Sequence, residues 1–243
     1  MPELVEAIRV LQQVPLLHGL ESRELAAVAE AAKSCKVESR QFFFRQGMNA
    51  DTVYVLLRGR VKLTQATPEG AQVVLRFIGP GELFAAMAAF AGQVYPVSAQ
   101  AVRWCHALCW NGRSIAVLIE TYPRIGLNAV RELTAQLQDV RERYLELATE
   151  RVERRVAHAL IRLARQAGWQ TEDGLLIDMP LSRRDLAEMT GTTLYTVSRI
   201  LSGWECNGLI KAGRQRVSIL QPLGVTAVAE DTPQKAKARA GRR

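Results

Sequence analysis

The stretch Leu181–Ile210, LSRRDLAEMTGTTLYTVSRILSGWECNGLI, decides how this chain folds at its C-terminal end. Two short helical patterns meet at Thr190-Gly191. Ser182, followed three residues later by Asp185, resembles a capping box, in which each side chain serves an amide left unpaired at a helix start. The helix it opens carries Leu186 and Met189. Gly191 supplies the backbone freedom of a tight inter-helix turn. In the second pattern Val197, Ile200, Leu201 and Trp204 fall at i, i+3, i+4 and i+7, one stripe for burial. Tyr195, Ser198 and Arg199 share a different, outward face. A helix anchored on one side and displaying such groups on the other can enter a DNA major groove, where an arginine fork matches guanine. The same segment also suits a helical hairpin that merely packs. The rest of the chain has to choose.

Beyond this segment, Lys211–Leu220 reads as a β-hairpin wing, and Arg151–Gln166 ahead of it reads as a helix. After Pro123 a longer helical pattern carries two interleaved heptad series, Val130, Leu137 and Tyr144 with Leu133, Val140 and Leu147. Such a seam fits a parallel homodimer better than a helix lying on its own domain. From about Lys36 to Trp110 the pattern is short strands punctuated by glycine. Thr52–Leu57, Arg60–Thr64 and Gln72–Ile78 are rich in β-branched or aromatic residues, which suggests an all-β barrel or jelly roll. Glu21–Ala32 before it reads as a helix.

At 243 residues, 48% of them hydrophobic and spread along the chain, there is room for two modest domains with their own cores. No apolar run reaches the length of a membrane span, and the start, MPELVEAIRV, lacks the basic and apolar regions of a signal peptide, so the expected compartment is the cytoplasm. The net charge of +8 is misleading as a nucleic-acid signature, because Lys235, Lys237, Arg239, Arg242 and Arg243 supply +5 and leave +3 for the rest. The stretch TPQKAKARAGRR reads as a disordered basic tail that aids solubility or adds nonspecific phosphate contacts. Cys35, Cys105, Cys109 and Cys206 form no Cys-x-x-Cys pair, so free, mostly buried thiols are expected.

The order of these parts resembles the Crp–Fnr superfamily of bacterial transcription regulators. The matching residues are Phe44-Arg-Gln-Gly47, Tyr54 to Gly59, Gly59-Arg-Val-Lys-Leu63, Gly79-Pro-Gly-Glu-Leu-Phe84 and Thr196-Val-Ser-Arg199, within roughly residues 12–222. The resemblance implies an α+β chain. An effector-sensing, cyclic-nucleotide-binding-like β-barrel (jelly roll) with an N-terminal helix would span residues 1–120. A dimerisation helix would span 121–150, a winged helix-turn-helix 151–222, and the basic tail 223–243. The implied partners are a palindromic double-stranded DNA operator, a second copy of the chain and, for an activator, RNA polymerase. Arg199 matches the family's guanine-reading arginine and Ser198 its neighbour; Ser182, Arg183 and Thr193 match positions that hold phosphates. Tyr195 stands where many relatives carry a glutamate, so the preferred operator should differ at that base.

The family's nucleotide-binding members hold the ribose with a glutamate and the cyclic phosphate with an arginine. The matching positions here are Ala86 and Val97, which argues against cyclic AMP as effector. No cysteine precedes Cys35, so an oxygen-sensing iron–sulfur cluster is not expected. The carbon-monoxide-sensing branch has Cys-x-His where this chain reads Ala85-Ala86-Met87. Tyr95-Pro-Val-Ser-Ala-Gln-Ala101 and Gly191-Thr-Thr-Leu-Tyr-Thr-Val-Ser-Arg199 resemble the nitrogen-oxide-responsive, NnrR/DNR-like branch, some of whose members bind haem. Axial-ligand candidates would be His18, His106, His158, Met87, Cys105 and Cys109, with His18, Met87 and Tyr95 as the effector-site candidates. On a strand, Cys105 and Cys109 face one way and His106 the other, which speaks against a compact three-ligand metal site.

The reading is therefore a homodimeric transcription regulator controlled by something other than cyclic AMP, nitric oxide through haem being one candidate. A cyclic-nucleotide-responsive regulator with a non-standard pocket and an effector-independent regulator stay open. A β-domain controlling a partner enzyme is countered by the helix-turn-helix. An enzyme is countered by the lack of any nucleophile–base pairing, zinc spacing or phosphate loop.

Overall fold

The computed structural model describes residues 2–86, 93–213 and 216–230, which fall into two compact units, Met1–Arg141 and Glu142–Arg243. In the first unit, helices α1 (Pro2–Leu11) and α2 (Ser22–Glu30) precede eight strands. These are β1 (Lys33–Val37), β2 (Phe42–Phe44), β3 (Thr52–Arg58), β4 (Val61–Ala66), β5 (Gln72–Ile78), β6 (Leu83–Phe84), β7 (Ser98–Ala101) and β8 (Cys105–Asn111). They build two antiparallel sheets, in the orders β1-β8-β3-β6 and β2-β7-β4-β5. This is the expected jelly roll. Helix α3 (Gly112–Thr121), capped by the Asn111 side chain, leads into α4 (Pro123–Thr149).

Side-chain alternation along β3 and β8 divides this unit into two cores. Tyr54, Leu56, Cys105 and Ala107 point between the sheets, where they meet Phe44, Val61, Ile78 and Ala99. Val53, Val55, Leu57, Leu108 and Trp110 point the other way, onto α1, α2 and α3. The indole Nε1 of Trp110 donates to the Val28 carbonyl at 2.9 Å and ties the sheet to α2. Because both faces of β3 are covered, its inner positions form one unbroken buried run, Val53–Leu57. Gly59, at the turn into β4, has φ +103°, and a Cβ there would lie 2.5 Å from the Trp104 carbonyl oxygen. Only glycine suits that corner.

The second unit contains the end of α4, helix α5 (Val152–Ala167), hairpin strands β9 (Gly168–Thr171) and β10 (Gly174–Ile177), α6 (Arg183–Thr190), α7 (Leu194–Cys206), β11 (Ile210–Gly213), β12 (Arg216–Ile219) and α8 (Pro222–Ala229). Its sheet runs β11-β12-β10-β9, so the wing foreseen at Lys211–Leu220 is the β11–β12 hairpin. One expectation needs correction. The disordered tail assigned to 223–243 does not hold for its first part, because residues 222–229 form a helix. Val225 and Ala229, one turn apart, are both buried, and Arg154 Nε donates to the Ala229 carbonyl at 2.8 Å. The basic residues of the tail lie outside the described residues. Among the described residues, no helix is long and apolar enough to cross a membrane.

Candidate nucleic-acid interface and barrel interior

Helix α6 begins as the sequence implies. The Ser182 hydroxyl oxygen accepts from the Asp185 amide at 3.0 Å, and the Asp185 carboxylate accepts from the Ser182 amide at 3.0 Å and its hydroxyl at 2.6 Å. The helix ends at Gly191 in the left-handed region, φ +60°. A further side chain holds this turn. Arg155 Nε donates to the Thr190 carbonyl at 2.9 Å and Nη1 to the Glu150 carbonyl at 2.9 Å, linking the turn to the α4–α5 break. Sequence periodicity gave no hint of this clamp, since Arg155 reads as an ordinary charged position on a helix.

Helix α7 is anchored by the buried Val197, Leu201 and Trp204; Ile200, the fourth member of the expected stripe, is half-buried. Trp204 Nε1 donates to a Glu153 carboxylate oxygen at 2.8 Å, fixing α7 to α5. Glu205 accepts from the Ala212 amide at 2.8 Å and joins the helix to its wing. On the outward side Tyr195 is 78% exposed, Arg199 is exposed and Ser198 half-buried, while Arg183 is exposed at the start of α6. The Thr193 hydroxyl caps α7, accepting from the Thr196 amide at 3.2 Å and pairing with the Thr196 hydroxyl at 2.9 Å. Ser182 and Thr193 thus already have intramolecular roles, and Arg183, Tyr195 and Arg199 carry the exposed chemistry. A helix held so firmly on one face is suited to rigid docking.

Along α4 every seam residue is exposed in the single chain, from 41% at Leu133 to 70% at Leu137. The helix turns Ile125 and Asn128 inward instead, and Asn128 Nδ2 donates to the carbonyls of Leu16 and His18 at 3.0 and 2.9 Å. Leu147 has a second neighbour: its Cδ2 lies 3.2 Å from where a Cβ on Gly191 would stand.

Between the two sheets of the barrel, aromatic rings stack. Phe44 and Tyr95 lie 3.8 Å apart at 20°, Tyr54 and Phe84 5.0 Å apart at 16°, and Phe43 meets both Tyr54 and Phe84 edge-on. The Tyr95 phenol donates to the Thr52 carbonyl at 2.9 Å and accepts from the Thr52 amide at 3.1 Å. Burial raises the ionisation of both Tyr54 and Tyr95 above the usual phenol range. Val97 and Ala85 border this aromatic core, whereas Ala86 packs on the helical side. Ala85 adopts φ +71°, a left-handed conformation uncommon for alanine.

The two described effector candidates, His18 and Tyr95, lie in different places. Exposed His18 lends its carbonyl to Asn128 beside the helical core, Tyr95 lies in the core between the sheets, and Met87 lies outside the described residues. The axial-ligand candidates are equally scattered. His106 pairs with the Ser34 hydroxyl at 2.9 Å, His158 lies 3.4 Å from Glu150 in the other unit, and the Cys105 thiol donates to the Arg60 and Arg103 carbonyls. Cys105 and Cys109 do share the barrel face of β8, joined there by Cys35 from β1. Four residues of extended strand hold Cys105 and Cys109 roughly 13 Å apart, too far to ligate one metal. Among the described residues no cluster of three or more His, Cys, Asp or Glu is placed to hold a metal ion.

Two family models match the chain, a cyclic nucleotide-binding domain over residues 34–122 and a Crp-like helix-turn-helix domain over residues 154–226. A CRP-like cAMP-activated global transcriptional regulator of Mycobacterium tuberculosis is 23% identical over 210 residues, covering 86% of this chain and 94% of the relative. The transcriptional activator protein FnrA of Stutzerimonas stutzeri is 24% identical over 212 residues, covering 87% and 86%. Among solved structures, FixK2 from Bradyrhizobium japonicum superposes with a TM-score of 0.72 at 20% identity, over 81% of this chain and 96% of that one. That likeness establishes the fold.

The barrel thiols make a testable contrast with Cys206. Burial pushes the Cys35, Cys105 and Cys109 thiols upward, and for Cys35 the neighbouring Cys109 adds to the effect, whereas Cys206 is exposed on α7. A raised value leaves a thiol protonated, and so a poor nucleophile, at mildly alkaline pH. Brief iodoacetamide treatment of the folded protein at pH 8 should label Cys206 first, as read by peptide mass spectrometry. Equal labelling of Cys35 or Cys109 would contradict the burial described.

Proposed function

We propose that this chain, which belongs to the Crp–Fnr family of DNA-binding transcription regulators, acts as a homodimer on a palindromic operator and answers to an effector other than cyclic AMP. It is a regulator and not an enzyme. The observation that carries the DNA reading is the outward face of α7, where Tyr195 and Arg199 stand exposed on a helix pinned by Val197, Leu201 and the Trp204–Glu153 bond. Arg199 is assigned to guanine and Arg183 to phosphate, with Ser182 and Thr193 shaping the helix starts near the backbone. The heptad row Val130 to Leu147 supports the dimer, because exposed leucines and valines at that spacing gain burial only against a partner helix. A two-fold dimer then places its recognition helices on half-sites about one helical turn apart. Activation of a promoter would add RNA polymerase as a partner, and work on chromosomal DNA implies the cytoplasm.

The effector reading rests on the barrel. Val97 offers hydrocarbon where a cyclic nucleotide needs a cation, Ala86, matched to the ribose-binding glutamate, has no acceptor and packs on the helical side, and stacked rings lie between the sheets. The nitrogen-oxide reading keeps its support from the sequence of Tyr95–Ala101 and Gly191–Arg199.

Operator binding after selection from random DNA tests the first part. Arg199→Ala should lower affinity by about 1–3 kcal/mol per half-site and relax preference at one base pair. Arg183→Ala should weaken all sequences alike and flatten the salt dependence. Unchanged affinity and preference in Arg199→Ala would move the recognition face elsewhere. Leu137→Glu should give monomers with poor operator affinity in sedimentation and binding assays; an unchanged dimer would contradict the assigned seam.

A further inference from the structure

Leu194 has no role in the contacts described so far. It is the first residue of α7, 54% exposed, beside Tyr195 at 78%. The helix buries its other large aliphatic and aromatic side chains wholly or in part: Val197, Leu201 and Trp204 are enclosed and Ile200 is half-covered. Tyr195 lies one turn before Arg199, whereas Leu194 lies one turn before the half-buried Ser198 and two turns before buried Leu201, so it stands at the edge of the buried stripe, exposed there because it is the first residue of the helix. The adjacent Thr193 hydroxyl is engaged in the helix cap. The leading tip of the helix therefore presents an isobutyl group and an aromatic ring where a glutamate or amide would present hydrogen-bonding atoms.

Of the four bases only thymine shows an apolar group in the major groove, its 5-methyl. A leucine pressed against the amino or carbonyl edge of another base would strip water from that polar group and return no hydrogen bond. Against a methyl it loses nothing polar and removes hydrocarbon from water on both sides. We infer that Leu194, at the exposed N-terminal tip of the helix with the Tyr195 ring beside it, reads a thymine methyl in each half-site. The inference rests on the DNA-binding reading and adds its specificity rule: recognition is partly through a methyl group, not through hydrogen bonds alone.

The test replaces, one at a time, each thymine of one half-site in the selected operator by deoxyuridine, which removes the methyl and leaves base pairing intact. With the full-length protein, one such change should weaken binding about 4-fold, the worth of one buried methyl-sized group. Leu194→Ala, at an exposed site that leaves the fold alone, should bind the thymine and deoxyuridine operators equally at that position. It should keep its preference for the guanine read by Arg199. If every thymine tolerates the exchange, or if Leu194→Ala keeps the same methyl sensitivity, the inference is overturned. Should selection recover no preferred sequence at all, the DNA-binding reading falls first. A selected operator indifferent to methyl loss sinks only the role of Leu194.

Discussion

Strand β3 is covered on both sides, and the N-terminal unit depends on that constraint. Val53, Val55 and Leu57 must match the helical layer while Tyr54 and Leu56 match the opposite sheet, so neither face can slip in register without exposing the other. The Gly59 corner and the Trp110–Val28 bond hold the strand and its neighbour β8 in that register. Everything proposed for the barrel interior follows from this partition, because it fixes which residues face the space between the sheets.

That space is occupied by the protein's own rings. The Tyr95 phenol is held by both backbone groups of Thr52, and its ring lies against Phe44, so moving it would break two hydrogen bonds and a stack. The proposed loss of nucleotide binding accords with this packing, in which the described core is lined by rings and hydrocarbon.

The sequence revealed much of this where a period was long enough to be read. The stripe of Val197, Leu201 and Trp204, the Ser182–Asp185 cap and the Gly191 turn could be seen directly, as could the strands around Tyr54 and Val74. Other features depend on pairing register, which local pattern does not encode. Cys35 joins Cys105 and Cys109 on one face only because β1 pairs antiparallel with β8 and sets Cys35 opposite Ala107. Strand β1 itself, KSCKV, is too polar and too open to announce a strand. Helix α8 was hidden because its apolar spacing, Val225 to Ala229, is a single turn long beside a basic tail. The Arg155 clamp joins residues 35 apart in sequence through backbone carbonyls, for which no side-chain pattern exists. Leu194 escaped notice for a different reason: an exposed leucine has meaning only once its neighbours on the helix are known to be buried.

We propose that a nucleotide-binding fold whose interior does not suit a nucleotide is combined in this chain with a DNA-reading helix-turn-helix. Calorimetric titration of the full-length protein with cyclic AMP and cyclic GMP, with operator affinity measured alongside, addresses both halves at once. The expected result is no micromolar binding of either nucleotide and the same operator affinity with or without them. Micromolar binding accompanied by tighter operator association would contradict it and return the barrel to nucleotide sensing.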